Sequence, residues 1–365
     1  MSNTSKFNYT VHPDIQRAET LPAEFYRNPA VFEAMRDTLF PRSWQWIETG
    51  EHLEQNGAVF PFQSIPGFVN EPLFLRKDNE GQVQCFSNVC THRGNILVHN
   101  PGVYKKLVCN YHGRRFDLNG QMEFMPEFKE ALDFPRPCDH LTEIPTAFWA
   151  QFPFVSLDPA FDFQKVIDVL QERNGFMPLT QFRYAPEWSR DYLVNAHWAL
   201  YCDNYLEGFH IPFVHPGLNQ ALDYDAYDTE VFEYCNLQIG IGDAATECFD
   251  LPEGHVDYGK RVAGYYFWVF PNMMFNFYPW GLSVNIVKPM SIKQCKVRFI
   301  MYVYDESKME QSAGADLDKV EREDEFVVEN VQRGIQSRFY QTGRFSPKRE
   351  ACVHHFHRLL AQFIH

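Results

Sequence analysis

Two short motifs in this sequence carry donors for redox chemistry. Cys90-Thr91-His92 and Cys109-Asn110-Tyr111-His112 each place a thiolate shortly ahead of an imidazole, so together they offer two sulfur and two nitrogen donors. Such a set suits a [2Fe–2S] cluster with Cys on one iron and His on the other. Its reduced negative charge makes that cluster accept an electron more readily than an all-Cys one. Structural zinc also takes two Cys and two His, but usually with both Cys grouped ahead of both His at short spacings. Here each loop brings one of each, and Gly94 and Gly113 follow the imidazoles closely, where the backbone can turn tightly around an inorganic core. The pair reads as an electron relay.

A second group of donors lies between Asp203 and His215. Offsets of four and three residues put Asp203, Glu207 and His210 on one face of a helix, whereas His215 would turn away from it. Pro212 lacks the N–H that would bond the Gly208 carbonyl, so the helix must end or kink between the two imidazoles, and both can then converge on one metal. A facial triad of two His and one carboxylate needs a third donor and leaves positions open for O2 and substrate. Leu317, Val320, Val327, Val331 and Ile335 follow the helical period, and Asp324 lies on that stripe. A carboxylate on a buried stripe is costly unless it meets a cation. Glu321, Glu323 and Glu325 fall off the stripe and read as solvated. Alone, His210 or His215 would read as an ordinary core or surface histidine, and Asp324 as a partner of Arg333 or Arg338. Beside an electron relay, the three read as its acceptor.

These residues need scaffolds, and the chain is long enough to supply two. Its 365 residues suggest two domains, and 45% hydrophobic with 16% aromatic residues can fill their cores. From about residue 39 to 157, short apolar runs alternate with Gly, Pro and Asn breaks, as in a small antiparallel β domain, and both Cys/His loops fall between such runs. Ahead of it, Pro29–Phe40 reads as a short amphipathic helix. Beyond it come a helical segment at Phe163–Gly175, a long antiparallel stretch from about Glu187 to Tyr304, and a C-terminal helix. Tyr265, Tyr266, Trp268, Phe275, Phe277, Tyr278 and Trp280 could cage a quaternary ammonium group by cation–π contact, but alternation on strands reads more simply as core filling. His99, His140, His197, His255, His354, His355 and His357 have no ligand spacing and read as structural or surface residues.

Composition bounds the partners. The net charge of −14 argues against nucleic acid, and no run of 18 apolar residues exists to cross a membrane. No apolar leader follows Met1, and the nine cysteines show no disulfide framework, so a reducing cytoplasmic setting is expected. No dinucleotide fingerprint is present, so the chain has no recognisable site of its own for a nicotinamide or flavin dinucleotide.

Taken together, Cys-Thr-His-Arg-Gly, Cys-Asn-Tyr-His-Gly, Glu207-x2-His210-x4-His215, the aromatic segment Gly264–Asn276 and Asp324–Gly334 resemble the catalytic α subunit of Rieske non-heme iron oxygenases, the ring-hydroxylating oxygenase superfamily. The likeness covers essentially the full length. It implies an α+β chain with an N-terminal helical segment packing on the catalytic domain (1–38), an all-β Rieske [2Fe–2S] domain (39–157) and a helix-grip catalytic domain of antiparallel sheet covered by helices (158–365). The implied cofactors are one [2Fe–2S] cluster on Cys90, His92, Cys109 and His112, and one mononuclear Fe(II) on His210, His215 and Asp324, with O2 as co-substrate. A homotrimer is implied too, in which the cluster of one subunit feeds the iron of the next, as is a separate flavin- or ferredoxin-type reductase that delivers electrons from NAD(P)H. Glu207 stands where the family carries an acidic bridge, accepting from its own His210 and from His112 of the partner subunit, and Asp203 is a further catalytic candidate.

The resemblance also bears on substrate. Many aromatic-ring members have Asp at the bridge, and Glu is closer to members acting on choline, carnitine or betaines. The expected activity is therefore terminal oxygenation of a small quaternary ammonium compound at an N-methyl group. Aromatic-ring cis-dihydroxylation is the alternative, and a non-catalytic Rieske electron carrier is disfavoured by the complete potential triad in the second half. Arg114 departs from the family, many members of which carry Trp after the His-Gly of the second motif.

Overall fold

The computed structural model describes residues 7–215, 217, 227–309 and 317–364. Two compact units emerge, one formed by Trp44–Ala160 and the other by Met1–Ser43 with Phe161–His365. These boundaries fall a few residues beyond the expected 38/39 and 157/158.

The Trp44–Ala160 unit is built on a five-stranded antiparallel sheet in the order Gly102–Val103, Ala58–Ser64, Glu71–Lys77, Val83–Ser87, Glu143–Ile144. Along the central strand the two-residue period sorts side chains between two cores. Phe74 packs with Val59, Phe86, Cys90 and Cys109, whereas Leu73 and Leu75 turn to Ile47, Cys85 and Val155. Burying Phe74 fully contributes roughly 1.5–3 kcal/mol. The first Cys/His loop follows Val83–Ser87. The second is the tip between Leu107–Val108 and Arg115–Phe116, in a separate three-stranded sheet completed by Met122–Phe124.

The other unit holds an eight-stranded antiparallel sheet. Its order is Arg183–Tyr184, Gln294–Val303, Gly281–Ser291, Met273–Tyr278, Val262–Val269, Cys235–Ile241, Asp228–Val231, with Arg190–Val194 also paired to Gln294–Val303. From Val262 onward each strand pairs with the next in sequence, a meander that needs only tight turns. The register sets Gln238 opposite Tyr266, Tyr266 opposite Asn276, and Asn276 opposite Ser283. A polar row thus crosses four strands of an otherwise apolar sheet.

Helices carry the remaining donors. Trp198–Tyr205 packs its Trp198 edge-on against Phe40 and Phe356, with centroids 5.1 and 6.0 Å away. Helix Leu317–Gly334 lies along it, joined by Tyr201 to Glu321 and by the His197 N–H to Gln332 Oε1 at 2.8 Å. Pro29–Ala34 is opened by the Asn28 side chain, which accepts from the Ala30 N–H, and by Pro29 in its first turn. It runs on as a wider turn through Met35–Leu39.

Candidate cluster and metal sites

Two loops of the same design present the Rieske-type donors. The Cys90 N–H donates to the Asn95 carbonyl (2.8 Å) and the Gly94 N–H to the Cys90 carbonyl (3.0 Å). The Cys109 N–H likewise donates to the Arg114 carbonyl (2.8 Å) and the Gly113 N–H to the Cys109 carbonyl (2.9 Å). Gly94 and Gly113 sit at φ +71° and +73°, which glycine adopts without the strain a side chain would cause. Both thiols are 2% exposed. Burial opposes ionisation of Cys109, but hydrogen bonds led by the Tyr111 backbone outweigh it and hold the thiol below its usual pKa. The rings of His92 and His112 meet edge to face with centroids 4.8 Å apart, and His112 Nδ1 is buried without a hydrogen-bond partner. An orphaned ring nitrogen beside two buried thiols is uncommon unless something accepts its lone pair, and a cluster iron fits that role.

The break expected between the two imidazoles comes earlier, so that Asp203, Glu207 and His210 do not share one helix. Trp198–Tyr205 ends at Leu206, and a second, one-turn helix spans Ile211–Val214. Pro212 opens this second helix, where its missing N–H costs nothing, instead of kinking the first. Glu207 sits in the break, and its Oε2 accepts from the backbone N–H groups of Phe209 and His210. Asp203 therefore parts from the others. It faces Tyr26 (3.1 Å) and His357 Nε2 (2.9 Å) and does not line the cavity described below.

The structure brings His210, His215 and Asp324 together, with one donor atom from each within 4.8 Å of the others. His210 Nε2 and His215 Nε2 are 3.2 Å apart, and Asp324 Oδ1 lies 3.4 and 3.0 Å from them respectively. Donors at ~2.1 Å from one metal and at right angles to one another would be about 3 Å apart, so the spacing suits a facial triad. Each imidazole is aimed by a carboxylate behind it: His210 Nδ1–H donates to Glu207 Oε1 (2.8 Å) and His215 Nδ1–H to Glu323 Oε2 (2.7 Å). Both Nε2 lone pairs then face the centre, the tautomer a metal requires. The charge balance agrees. Burial opposes protonation of His210, but Asp324 and Glu207 outweigh it and lift its pKa to about 9. Burial also works against ionisation of Asp324, yet the two histidines hold its pKa below the usual value. Three lone pairs and two backing carboxylates around one point favour a cation there.

The face of helix Leu317–Gly334 differs from the expected stripe. Glu321, Val328 and Gln332 are its buried residues, with Ile335 buried just beyond its end, and Val331 is 43% exposed, while the side chain of Leu317 lies outside the described residues. Polar groups occupy this face because the facing helix satisfies them: Tyr201 donates to Glu321 Oε2 at 2.5 Å, and Gln332 accepts from the His197 N–H. Contrary to the expectation of solvated carboxylates, Glu321 is buried, and Glu323 is only partly exposed and is engaged by His215. Burial drives the Glu321 carboxyl well above the usual carboxylate range, against the pull of the Tyr201 hydrogen bond, and its Oε1 has no partner. Hydrophobic periodicity could not reveal either residue. For Glu323 the one available signal was its place next to Asp324.

A cavity of about 130 Å³ opens beside the triad. Its walls include Tyr201, Tyr205, Tyr227, Tyr266 and Tyr278, with Gln238, Asn276 and Asn285 from the polar row and its neighbouring strands, and Glu321. Of the seven aromatics weighed for a cation cage, Tyr266 and Tyr278 reach it. Tyr265, Trp268, Phe275, Phe277 and Trp280 are buried and are absent from its walls.

Comparison with known proteins bears on the family and fold of both units. Residues 44–145 match the Rieske [2Fe–2S] domain, and residues 179–365 match the ring-hydroxylating α subunit catalytic domain. The chain is 28% identical to a chloroplastic choline monooxygenase of Beta vulgaris, over 98% of this chain and 81% of that protein. It is 26% identical to the carnitine monooxygenase oxygenase subunit of Escherichia coli, over 97% and 96%. Among solved structures, the quaternary ammonium Rieske monooxygenase CntA in complex with L-carnitine superposes with a TM-score of 0.73 at 24% identity, over 97% of each chain. Naphthalene 1,2-dioxygenase from Rhodococcus shares the fold with a TM-score of 0.70 at 16% identity, over 94% of each.

Proposed function

The chain belongs to the ring-hydroxylating α-subunit family of Rieske oxygenases, and on that premise we propose that it hydroxylates an N-methyl carbon of a small quaternary ammonium compound. One observation carries this reading: the carboxylate-backed triad borders a cavity whose walls combine five tyrosines with a buried carboxyl group. Tyrosine π-faces attract a desolvated trimethylammonium group. The choline and carnitine relatives act on the same class of compound. The likeness to naphthalene dioxygenase, at 16% identity, speaks for the fold alone and lends the cis-dihydroxylation alternative no support.

His210, His215 and Asp324 are assigned as ligands of mononuclear Fe(II), and Cys90, His92, Cys109 and His112 as ligands of the cluster. Bound there, the iron centres supply electron storage and O2 activation. The reaction balances as R3N+–CH3 + O2 + 2 electrons + 2 H+ giving R3N+–CH2OH + H2O, after which the hydroxymethyl group leaves as formaldehyde with release of a proton and the tertiary amine. The chain's own residues position these events. Glu207 and Glu323 hold the two imidazoles in register, and the tyrosine walls exclude water and seat the methyl groups. Glu207 accepts from His210 in its own chain, and we assign it a second bond to His112 of the partner subunit in a homotrimer. A flavin- or ferredoxin-type reductase fed by NAD(P)H completes the system. A reducing cytoplasmic compartment suits the nine free cysteines, and no described helix is long and apolar enough to cross a membrane.

The test is turnover with reductase, NAD(P)H and O2 on a panel of betaines, carnitine, choline and arenes, with formaldehyde and diol as readouts. Formaldehyde from at least one N-methyl substrate is expected. Diol from an arene with no formaldehyde from any N-methyl compound would reverse the assignment.

A further inference from the structure

The Rieske unit buries a cation that its protein contacts leave under-matched. Arg114 is 1% exposed. Its Nη1–H donates to Thr91 Oγ1 at 2.7 Å, and Thr91 stands between Cys90 and His92. The Thr91 hydroxyl in turn donates to the Asp139 carbonyl at 2.8 Å. The Arg114 carbonyl accepts from the Cys109 N–H, so this one residue is tied to both ligand loops. Phe128 and Phe134 present their rings 5.9 and 5.3 Å from the guanidinium carbon. Its ion pair is with Asp139 Oδ1, at a long 3.4 Å. The other Asp139 oxygen already accepts from the Arg136 N–H at 2.8 Å and lies 3.3 Å from Arg136 Nε. Arg114 Nε has no partner.

A buried guanidinium so sparsely paired is costly unless negative charge lies close by. On two Fe(III), two sulfides, two thiolates and two neutral imidazoles, the oxidised cluster would be neutral overall with its negative charge on the sulfurs, and reduction would add a full negative charge beside these residues. A fixed cation there favours the reduced form. The aromatic ring that many family members carry after the His-Gly would bring no such charge.

We propose that Arg114 is a positioning residue that braces Thr91 between two cluster ligands and raises the reduction potential of the cluster, with Asp139 as a partial counterweight. The inference rests on assignment of the cluster to this unit and is independent of the substrate.

Spectroelectrochemical titration of the cluster in the purified, cluster-loaded protein tests it. Arg114→Gln should lower the reduced-to-oxidised ratio at a fixed potential by about tenfold, a shift of roughly 59 mV for one electron. Arg114→Lys should keep most of the wild-type potential, and Asp139→Asn should move it upward. A purely structural role predicts no such opposed pair of shifts. An unchanged potential in Arg114→Gln with the Rieske spectrum intact, or a downward shift in Asp139→Asn, overturns the proposal. Should Arg114→Gln fail to hold its cluster, Asp139→Asn decides by the direction of its shift, and no shift counts against. A wild-type protein that holds no cluster would instead refute the cofactor assignment itself.

Discussion

Two carboxylates perform the same task for two imidazoles. Glu207 and Glu323 each accept an Nδ1–H and so turn an Nε2 lone pair toward Asp324. They nevertheless differ in surroundings, since Glu207 also caps two backbone N–H groups in the helix break, whereas Glu323 projects from the same helix as the carboxylate ligand. Glu323→Gln should weaken binding of the mononuclear metal by about 10–100-fold, measured by titrating iron back into protein stripped of it, with the cluster absorption unchanged. An affinity equal to wild type would mean that Glu323 does not orient His215. Asp324→Ala removes the proposed third ligand outright. Its iron content should fall from about three atoms per chain to about two, the Rieske spectrum remaining. Turnover retained in that variant would refute the ligand assignment. At this scale the Cys/His pairs were readable from spacing, and the two histidines only in conjunction with them. Asp203 illustrates the limit, because helical offsets placed it with Glu207 and the helix ends between them.

At the scale of elements, the cavity depends on adjacent strands arriving in one register, with Gln238, Tyr266 and Asn276 abreast. Gly264 protects that arrangement. A Cβ there would come within 2.7 Å of the Tyr266 ring and hydroxyl, so Gly264→Ala should push the ring out of place. Because Tyr266 lines the cavity and is not a metal ligand, KM for the quaternary ammonium substrate should rise several-fold with a smaller change in kcat; the reverse split would place Tyr266 in the chemistry and not in binding. Strand texture revealed the sheet because alternation follows from the pleat. The buried face of Leu317–Gly334 was harder, since Glu321 and Gln332 are stabilised there by partners on a neighbouring helix that no local period reports.

For the whole molecule, the proposed assembly makes each active site a product of two chains, which gives Glu207 a distinctive phenotype. With its mononuclear site saturated by added iron, Glu207→Gln should keep a normally reducible cluster, yet pass electrons to that iron at least about tenfold more slowly, as seen by rapid-mixing reoxidation of the reduced cluster with substrate and O2. Wild-type reoxidation would rule out Glu207 as the bridge. The sequence by itself determined the donor sets, the two-domain plan and the family, because ligand spacing, glycine positions and strand alternation are local constraints that survive without a fold. Tertiary structure alone decided that Glu323 stands behind His215, that Glu321 is buried, that Asp203 turns away, and that two of seven strand aromatics reach the cavity. Each of these depends on which side chain a distant segment brings opposite, a matter of packing between elements that no single stretch of chain encodes.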